Sequence, residues 1–421
     1  MSVVLSVFIE LQGSRVLVGK IVGNSDTAQF SYSQEYLADK AHRAISLSLP
    51  LQEESFSAEQ TKCFFEGLLP EGFSRRAVAQ WLHVDETDWL SILHGLGREC
   101  IGAIQIFSNS DEIPSDDYEE LSENQVKELA REGASTSTEL LVSTHLSLAG
   151  ATGKDGLYYD EKSQKWFKPV GLAPSTHIVK QSHVRLEGIV VNERLCLLTA
   201  ELLGISVPES SILHFNDLSS DEFLFATKRY DRIFGEKPKT LCGHAVPCRL
   251  HQEDFCQALG IPAAKKYESD GDFHLKRMFA LLRAYSADPI SDQLKLWDML
   301  IFNYLIGNTD AHIKNFSLLY SPDMKSIRLA PAYDLLSTII YKSSTRDMAF
   351  SLSGERNISH ITRDSFRAAA KEAGLGEKLA MSHFDDIKNR FSGALKQATE
   401  ILCEQGITQA KNMCARILNA K

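Results

Sequence analysis

Apolar and polar residues alternate from Val3 to Leu11 and again from Arg15 to Val22, on either side of Gln12-Gly13-Ser14. Period-two alternation broken by a glycine turn predicts an antiparallel hairpin. Helical spacing follows at 58–69 and 73–82, and a short strand is expected from Ala103 to Phe107. Further on, Thr176 to Lys180 reads as a strand ending in a lysine. Asn192 to Gly204 reads as a helix closed by glycine, with Glu193 in its first turn. Phe223 to Arg232 reads as a strand running into a connector. In Trp297 to Ile306, residues Trp297, Leu300, Ile301, Tyr304 and Leu305 share one helical face. Phe316–Tyr320 and Ile327–Pro331 form a second expected hairpin, and 362–421 is helical by pattern.

At 421 residues the chain holds two or three domains if each takes roughly 150. Its 43% hydrophobic and 24% charged content is that of an ordinary globular protein. No apolar run is long enough to span a bilayer, and the strand-like start carries no basic leader, so the expected location is the cytoplasm and no membrane is implied. The eight cysteines are scattered, as free thiols in a reducing compartment would be. A formal charge of −10 argues against a chain that grips nucleic acid directly. Residues 111–123 carry seven acidic groups and no basic one, which predicts a solvated linker and a domain boundary.

Candidate chemistry centres on Asn308-Thr309-Asp310-Ala311-His312-Ile313-Lys314-Asn315-Phe316. Phosphoryl transfer needs an oxygen acceptor aimed at the incoming hydroxyl and a nearby metal ligand, and Asp followed five residues later by Asn supplies both. The same pattern also fits a helix end followed by a polar turn. Asp334 comes nineteen residues after Asn315, beyond the second hairpin, where a magnesium carboxylate is expected.

Upstream, Ser147-Leu148-Ala149-Gly150-Ala151-Thr152-Gly153-Lys154 can bring several backbone N–H groups close to phosphate oxygens, or can be a plain turn. It is no Walker loop, because Leu148 and Asp155 stand where Gly and Ser or Thr are required. Gly95 to Ala103 lacks the third glycine and following helix of a dinucleotide loop and reads as a structural turn. Lys180 is placed to hold phosphates, with Glu193 as its natural partner. The hinge candidates for adenine are Lys228 and Tyr230. Cys242, His244, Cys248 and His251 lack zinc spacing and read as a loop.

Glycine loop, strand lysine, helix glutamate, hinge, Asp-x4-Asn and metal aspartate therefore occur in one order along the chain. On Ser147-Leu148-Ala149-Gly150, Thr176–Lys180, Lys266-Tyr267-Glu268-Ser269-Asp270-Gly271, Asn308–Phe316 and Pro331-Ala332-Tyr333-Asp334, the sequence resembles the HipA family of bacterial serine/threonine kinase toxins. Leu47–Leu51 and Leu68-Leu69-Pro70 extend the resemblance to the N-terminus. It implies an α+β fold with a protein-kinase-like (phosphoinositide-kinase-like) bilobal core and a small N-terminal α/β subdomain. The domains would be an N-terminal subdomain at 1–110, an acidic linker at 111–135, a nucleotide-binding lobe at 136–232 and a helical lobe at 233–421.

The resemblance implies an ATP- and Mg²⁺-dependent kinase. Asp310, His312 and Lys314 would be catalytic, and Asn315 and Asp334 would hold magnesium. The nucleotide would engage Ser147, Ala149, Gly150, Ala151, Thr152, Gly153, Lys154, Lys180, Glu193, Lys228 and Tyr230. Ser147 falls at the family's autophosphorylated serine. A HipB-like DNA-binding antitoxin would be the partner, with DNA reached only through it, and the protein substrate would be a translation component such as an aminoacyl-tRNA synthetase. Lys228 stands where an acidic hinge residue is familiar, and His312 where phosphoinositide-type kinases carry histidine. A non-catalytic kinase-fold regulator and a small-molecule or lipid kinase are the competing classes.

Overall fold

The computed structural model describes residues 3–108, 110–131, 146–147 (backbone only), 154–181, 186–215 and 222–420. The chain divides into two compact units. The first comprises Met1–Ser182, Leu213–Ala263 and Leu319–Ser326, and the second comprises His183–Ile212, Ala264–Leu318 and Ile327–Lys421.

The first unit opens with the expected hairpin. Val3–Leu11 pairs antiparallel with Ser14–Gly23, and Gln29–Tyr32 and Ile104–Phe107 complete a four-stranded sheet. Gln12 and Gly13 both have positive φ (50° and 75°), the backbone that matches the right-handed twist of the strands they join. Leu5, Val7 and Ile9 are fully buried, so the alternation read from sequence is the inward face of this sheet. Helices Ala58–Phe65 and Gly72–Leu82 follow, the former opened by a Ser57/Gln60 capping box. In Gly95 to Ala103, Gly97 caps the helix Trp89–Leu96, Glu99–Cys100 is a two-residue strand, and the chain then turns into the strand Ile104–Phe107.

A second sheet in this unit carries, in order, Leu224–Lys228, His177–Gln181, Lys154–Asp160, Lys165–Val170 and Asp117–Glu120. The acidic stretch expected to be a linker is therefore corrected: its Asp117–Glu120 is a strand of this sheet, and Glu123–Arg131 is a helix. The charges occupy outward positions, while Tyr118, Val126, Leu129 and Ala130 are buried, the last three in a core with Leu157, Trp166, Val179, Leu224 and Ala226. Charge counted along the chain does not reveal which face it lies on.

A buried ionic hub explains why the chain does not part near residue 110. Glu99 accepts from Arg229 (3.1 Å), Arg232 (2.8 Å) and Arg249 (2.5 and 3.0 Å). Asp231 engages Arg229 (2.8 Å) and accepts from the Gly102 N–H (2.7 Å), and Glu10 meets Arg249 at 2.9 Å. Burial would raise the Glu99 carboxyl, but Arg249, Arg232 and Arg229 hold it down at about 2. Splitting such a hub would strand buried charge, which is strongly unfavourable.

The second unit is helical around the 28-residue helix Glu377–Glu404, with Ile189–Leu202, His274–Tyr285, Pro289–Ile306, Arg363–Glu372 and Ala410–Asn419. Two details differ from the sequence expectation. The helix expected from Asn192 begins at Ile189, so Glu193 sits beyond the first turn and the N-terminal dipole gives no account of it. Pro289–Ile306 buries Leu296, Met299, Phe302 and Ile306 as well as the expected face, so it is a central helix. In the first unit, the Cys242–His251 stretch supplies the turn and second strand of a hairpin, Lys239–Leu241 with His244–Val246. Among the described residues, no helix is long and apolar enough to cross a membrane.

Candidate functional site

The helix Pro289–Ile306 starts at the Asp288 cap with proline next and ends at Gly307, whose φ is +70°. A Cβ at Gly307 would lie 2.3 Å from the Ile339 side chain, so glycine is required by backbone and by space. The chain turns there into the Asp-x4-Asn loop. Asn308, almost fully buried, accepts from the Asp310 N–H (3.1 Å) and donates to Asn303 Oδ1 (2.8 Å) and to the Asp334 carbonyl (3.2 Å). Thr309 donates its N–H to Thr338 Oγ1 at 2.7 Å, and that hydroxyl in turn donates to the Gly307 carbonyl. One buried side chain thus ties the Asp310 backbone to the Asp334 backbone.

Asp310 is exposed at the loop's crest. Its carbonyl accepts from the His312 N–H (2.7 Å) and from Asn315 Nδ2 (3.2 Å). That bond engages the Asn315 amide nitrogen, and its amide oxygen is a hard donor of the kind that suits a cation. His312 and Lys314 are buried, and the Lys314 carbonyl accepts from the Tyr333 hydroxyl at 2.9 Å. Asp334 is half-buried with φ +53°, a left-handed backbone that is uncommon outside glycine and clusters at functional sites. A carboxylate and an amide oxygen are hard donors that suit Mg²⁺, which takes few protein ligands and completes its shell with phosphate oxygens and water. Among the described residues, no three His, Cys, Asp or Glu side chains cluster to hold a metal.

Two residues without a role in the sequence reading shape this site. Asn192, on the helix that carries Glu193, donates to the Ser337 carbonyl (2.8 Å) and accepts from the Ser337 N–H (2.9 Å). Tyr267 donates its hydroxyl to Asp310 Oδ1, and its ring meets His312 edge-on at 5.3 Å. Asn192 is the first polar residue after the apolar run Ile189-Val190-Val191, and Tyr267 lies in the Lys266–Gly271 motif. Those are the signals that could have found them.

The remaining described candidates belong to the first unit, except Glu193. Lys180 pairs across the sheet with Lys154 and Phe225, and its ammonium lies 5.8 Å from the Phe225 ring centre. Lys154 and Asp155 are buried in the neighbouring strand. Lys228 is paired with Glu161 at 2.9 Å, both side chains partly exposed, and sits opposite His177, whose imidazole is pushed down to about 4 by burial and then by Lys228. Tyr230 donates its hydroxyl to Gln252. Lys180 and Glu193 fall in different units, and Glu193 is buried. Ala149, Gly150, Ala151, Thr152 and Gly153 lie outside the described residues. For Ser147 only the backbone is described, and it pairs in parallel with Cys100.

This fold is that of a protein-kinase-like molecule with an Asp-x4-Asn loop tied to a second aspartate. Residues 146–395 match the HipA-like C-terminal domain, and residues 10–107 match the HipA N-terminal domain. Y4mE of Sinorhizobium fredii (strain NGR234), a kinase by name, is 33% identical over 407 residues, covering 93% of each chain. The serine/threonine-protein kinase toxin HipA of Shewanella oneidensis is 24% identical over 96% of this chain and 92% of its own. The structure of the Shewanella oneidensis HipA, HipB and operator DNA complex shares the fold, with a TM-score of 0.79 over 99% of this chain, 96% of that chain and 23% identity. The chain belongs to the HipA-like kinase family.

Proposed function

We propose that this chain is an ATP- and Mg²⁺-dependent serine/threonine protein kinase that acts as the toxin of a HipBA-like module. The observation that carries the proposal is the Asn308 bridge, which holds the exposed Asp310 in register with the segment of Asp334. In this reading Asp310 orients a serine or threonine hydroxyl and takes its proton. The hydroxyl oxygen bonds to the γ-phosphorus as the bond to the β-phosphate oxygen breaks, leaving ADP. Asn315 Oδ1 and Asp334 would hold magnesium, which neutralises charge on the phosphates when bound. Lys180 would contact the α- and β-phosphates, and Tyr230 would lie against adenine. His312 and Lys314, both buried beside Asp310, would be the further catalytic residues of the loop. The 147–154 loop would cradle phosphate, with Ser147 as an autophosphorylation site.

A HipB-like DNA-binding antitoxin is the proposed partner, because the fold neighbour was solved with HipB and its operator DNA. The chain's −10 charge fits a partner that supplies the contacts to DNA phosphates. The proposed targets are translation components such as an aminoacyl-tRNA synthetase, which gives the site a cytoplasmic setting. Phosphoproteomics of cells expressing wild type against Asp310→Ala tests this directly. Serine or threonine sites should appear in the wild type alone, with phosphate on the Ser147 peptide among them, and identical phosphoproteomes would overturn the reading.

A further inference from the structure

In the Lys266–Gly271 motif a tightly held glutamate, Glu268, follows the exposed Tyr267. Glu268 is buried, and all four of its polar groups are engaged. Its N–H donates to the Ala349 carbonyl (2.9 Å), and its carbonyl accepts from Arg356 (2.9 Å). Its carboxylate oxygens accept from the His274 N–H (2.8 Å) and the Ser351 N–H (2.6 Å). A residue held on every side fixes the backbone next to it, so the position of Tyr267 is set before any substrate arrives. From that backbone Tyr267, 41% exposed, reaches Asp310 Oδ1 with its hydroxyl while its ring braces against His312.

We infer that Tyr267 is a positioning residue for phosphoryl transfer: its hydroxyl holds one oxygen of the Asp310 carboxylate and so directs the other toward the acceptor hydroxyl. The inference rests on the kinase reading of Asp310. A carboxylate joined to its Cα by two rotatable bonds samples several orientations at an exposed site, and a base oriented by a third group is the general arrangement for activating a nucleophile. Holding the carboxylate should act on turnover and leave nucleotide affinity alone, because Tyr267 orients the group that meets the acceptor and is assigned no contact with ATP.

The test pairs a structural and a kinetic readout on the full chain. Crystal structures of wild type and Tyr267→Phe would show the orientation of Asp310. Transfer of phosphate from MgATP to dephosphorylated casein would give kcat and the KM for ATP, with Asp310→Asn as blank. Phenylalanine keeps the ring against His312 and removes only the hydroxyl. The expected result is an Asp310 carboxylate that leaves its wild-type orientation, with kcat lowered about tenfold and KM for ATP changed by less than about twofold. An unchanged carboxylate in the variant, or a kcat that is equal or higher, would overturn the inference. A higher kcat would mean that Tyr267 occupies the acceptor's place. If wild type turns over no faster than Asp310→Asn, the kinase reading itself fails and the inference about Tyr267 fails with it, whereas an active wild type matched by Tyr267→Phe overturns the inference alone.

Discussion

Asn192 and Ser337 lie 145 residues apart in sequence and exchange two hydrogen bonds, one side-chain amide satisfying both the N–H and the carbonyl of a buried peptide segment. Both residues are fully buried, and the Tyr341 hydroxyl adds a third contact to the same amide at 3.3 Å. The helix Ile189–Leu202 is thereby joined to the segment that follows Asp334 by polar contacts that no apolar side chain can imitate. The residue after Asn192 is Glu193, so the same lock sets where that carboxylate stands.

Asn192→Ala should strand the Ser337 N–H and carbonyl in an apolar interior. Each buried group left without a partner costs about 1–3 kcal/mol, so a loss of roughly 2–4 kcal/mol is expected in denaturant unfolding. Asn192→Leu, similar in volume, should be no better. Stability within about 0.5 kcal/mol of wild type would show that the segment finds other partners.

Gly307→Ala should damage the loop as well as the fold. The added Cβ meets Ile339 at 2.3 Å on a backbone with φ +70°. Strain and overpacking together exceed about 2 kcal/mol. Thermal unfolding of Gly307→Ala should fall by several degrees, whereas Gly204→Ala, also at positive φ but with nothing within 4 Å, should fall less.

The pH dependence of stability should carry two opposite signatures. Glu99 is held at about 2 in the folded protein against an ordinary 4.5. A depressed folded value means stability that is present above about 4.5 and is lost as pH falls toward 2. Glu99→Gln should remove that acid-side loss and lower stability at neutral pH by about 3–5 kcal/mol, because three arginines would then face too few carboxylates.

Glu253 has the reverse sign. Burial pushes its carboxyl up to about 7, despite hydrogen bonds from Ser46, Tyr320 and the Leu47 N–H. A raised folded value in an acid favours the protonated form, so stability from this group is full below about 4.5 and declines as pH rises through 7. Glu253→Gln, which accepts from Leu47 through its oxygen and can donate to Ser46 through its nitrogen, should flatten unfolding free energy between pH 5 and 8. An unaltered slope in the variant would assign the dependence elsewhere.

The form of the Asp-x4-Asn loop is legible because its signals are local: an apolar helix, a glycine stop, and Asp and Asn five residues apart. The first hairpin was legible from alternation, and the second from apolar runs around a polar turn. What the sequence hid depends on contacts between distant positions. Ile189-Val190-Val191 is a β-branched run that looks strand-like, so the helix start was set three residues late and Glu193 was assigned to the wrong turn. Glu99 meets arginines 130 to 150 positions away, and nothing near Glu99 announces them. Tyr267 lies in a motif but carries no signal of its role in sequence, because Asp310, its partner, lies 43 residues away.

Asp310 and Asp334 are assigned to one phosphoryl-transfer site. The most direct test of that assignment is incorporation of ³²P from γ-labelled ATP into protein by purified wild type, Asp310→Ala and Asp334→Ala, in Mg²⁺ and with extract as the source of acceptors. Wild type should place label on serine or threonine, and both variants should fall to the background seen with EDTA, since one loses the group that orients the nucleophile and the other a metal ligand. Labelling by both variants at the wild-type rate would contradict the account.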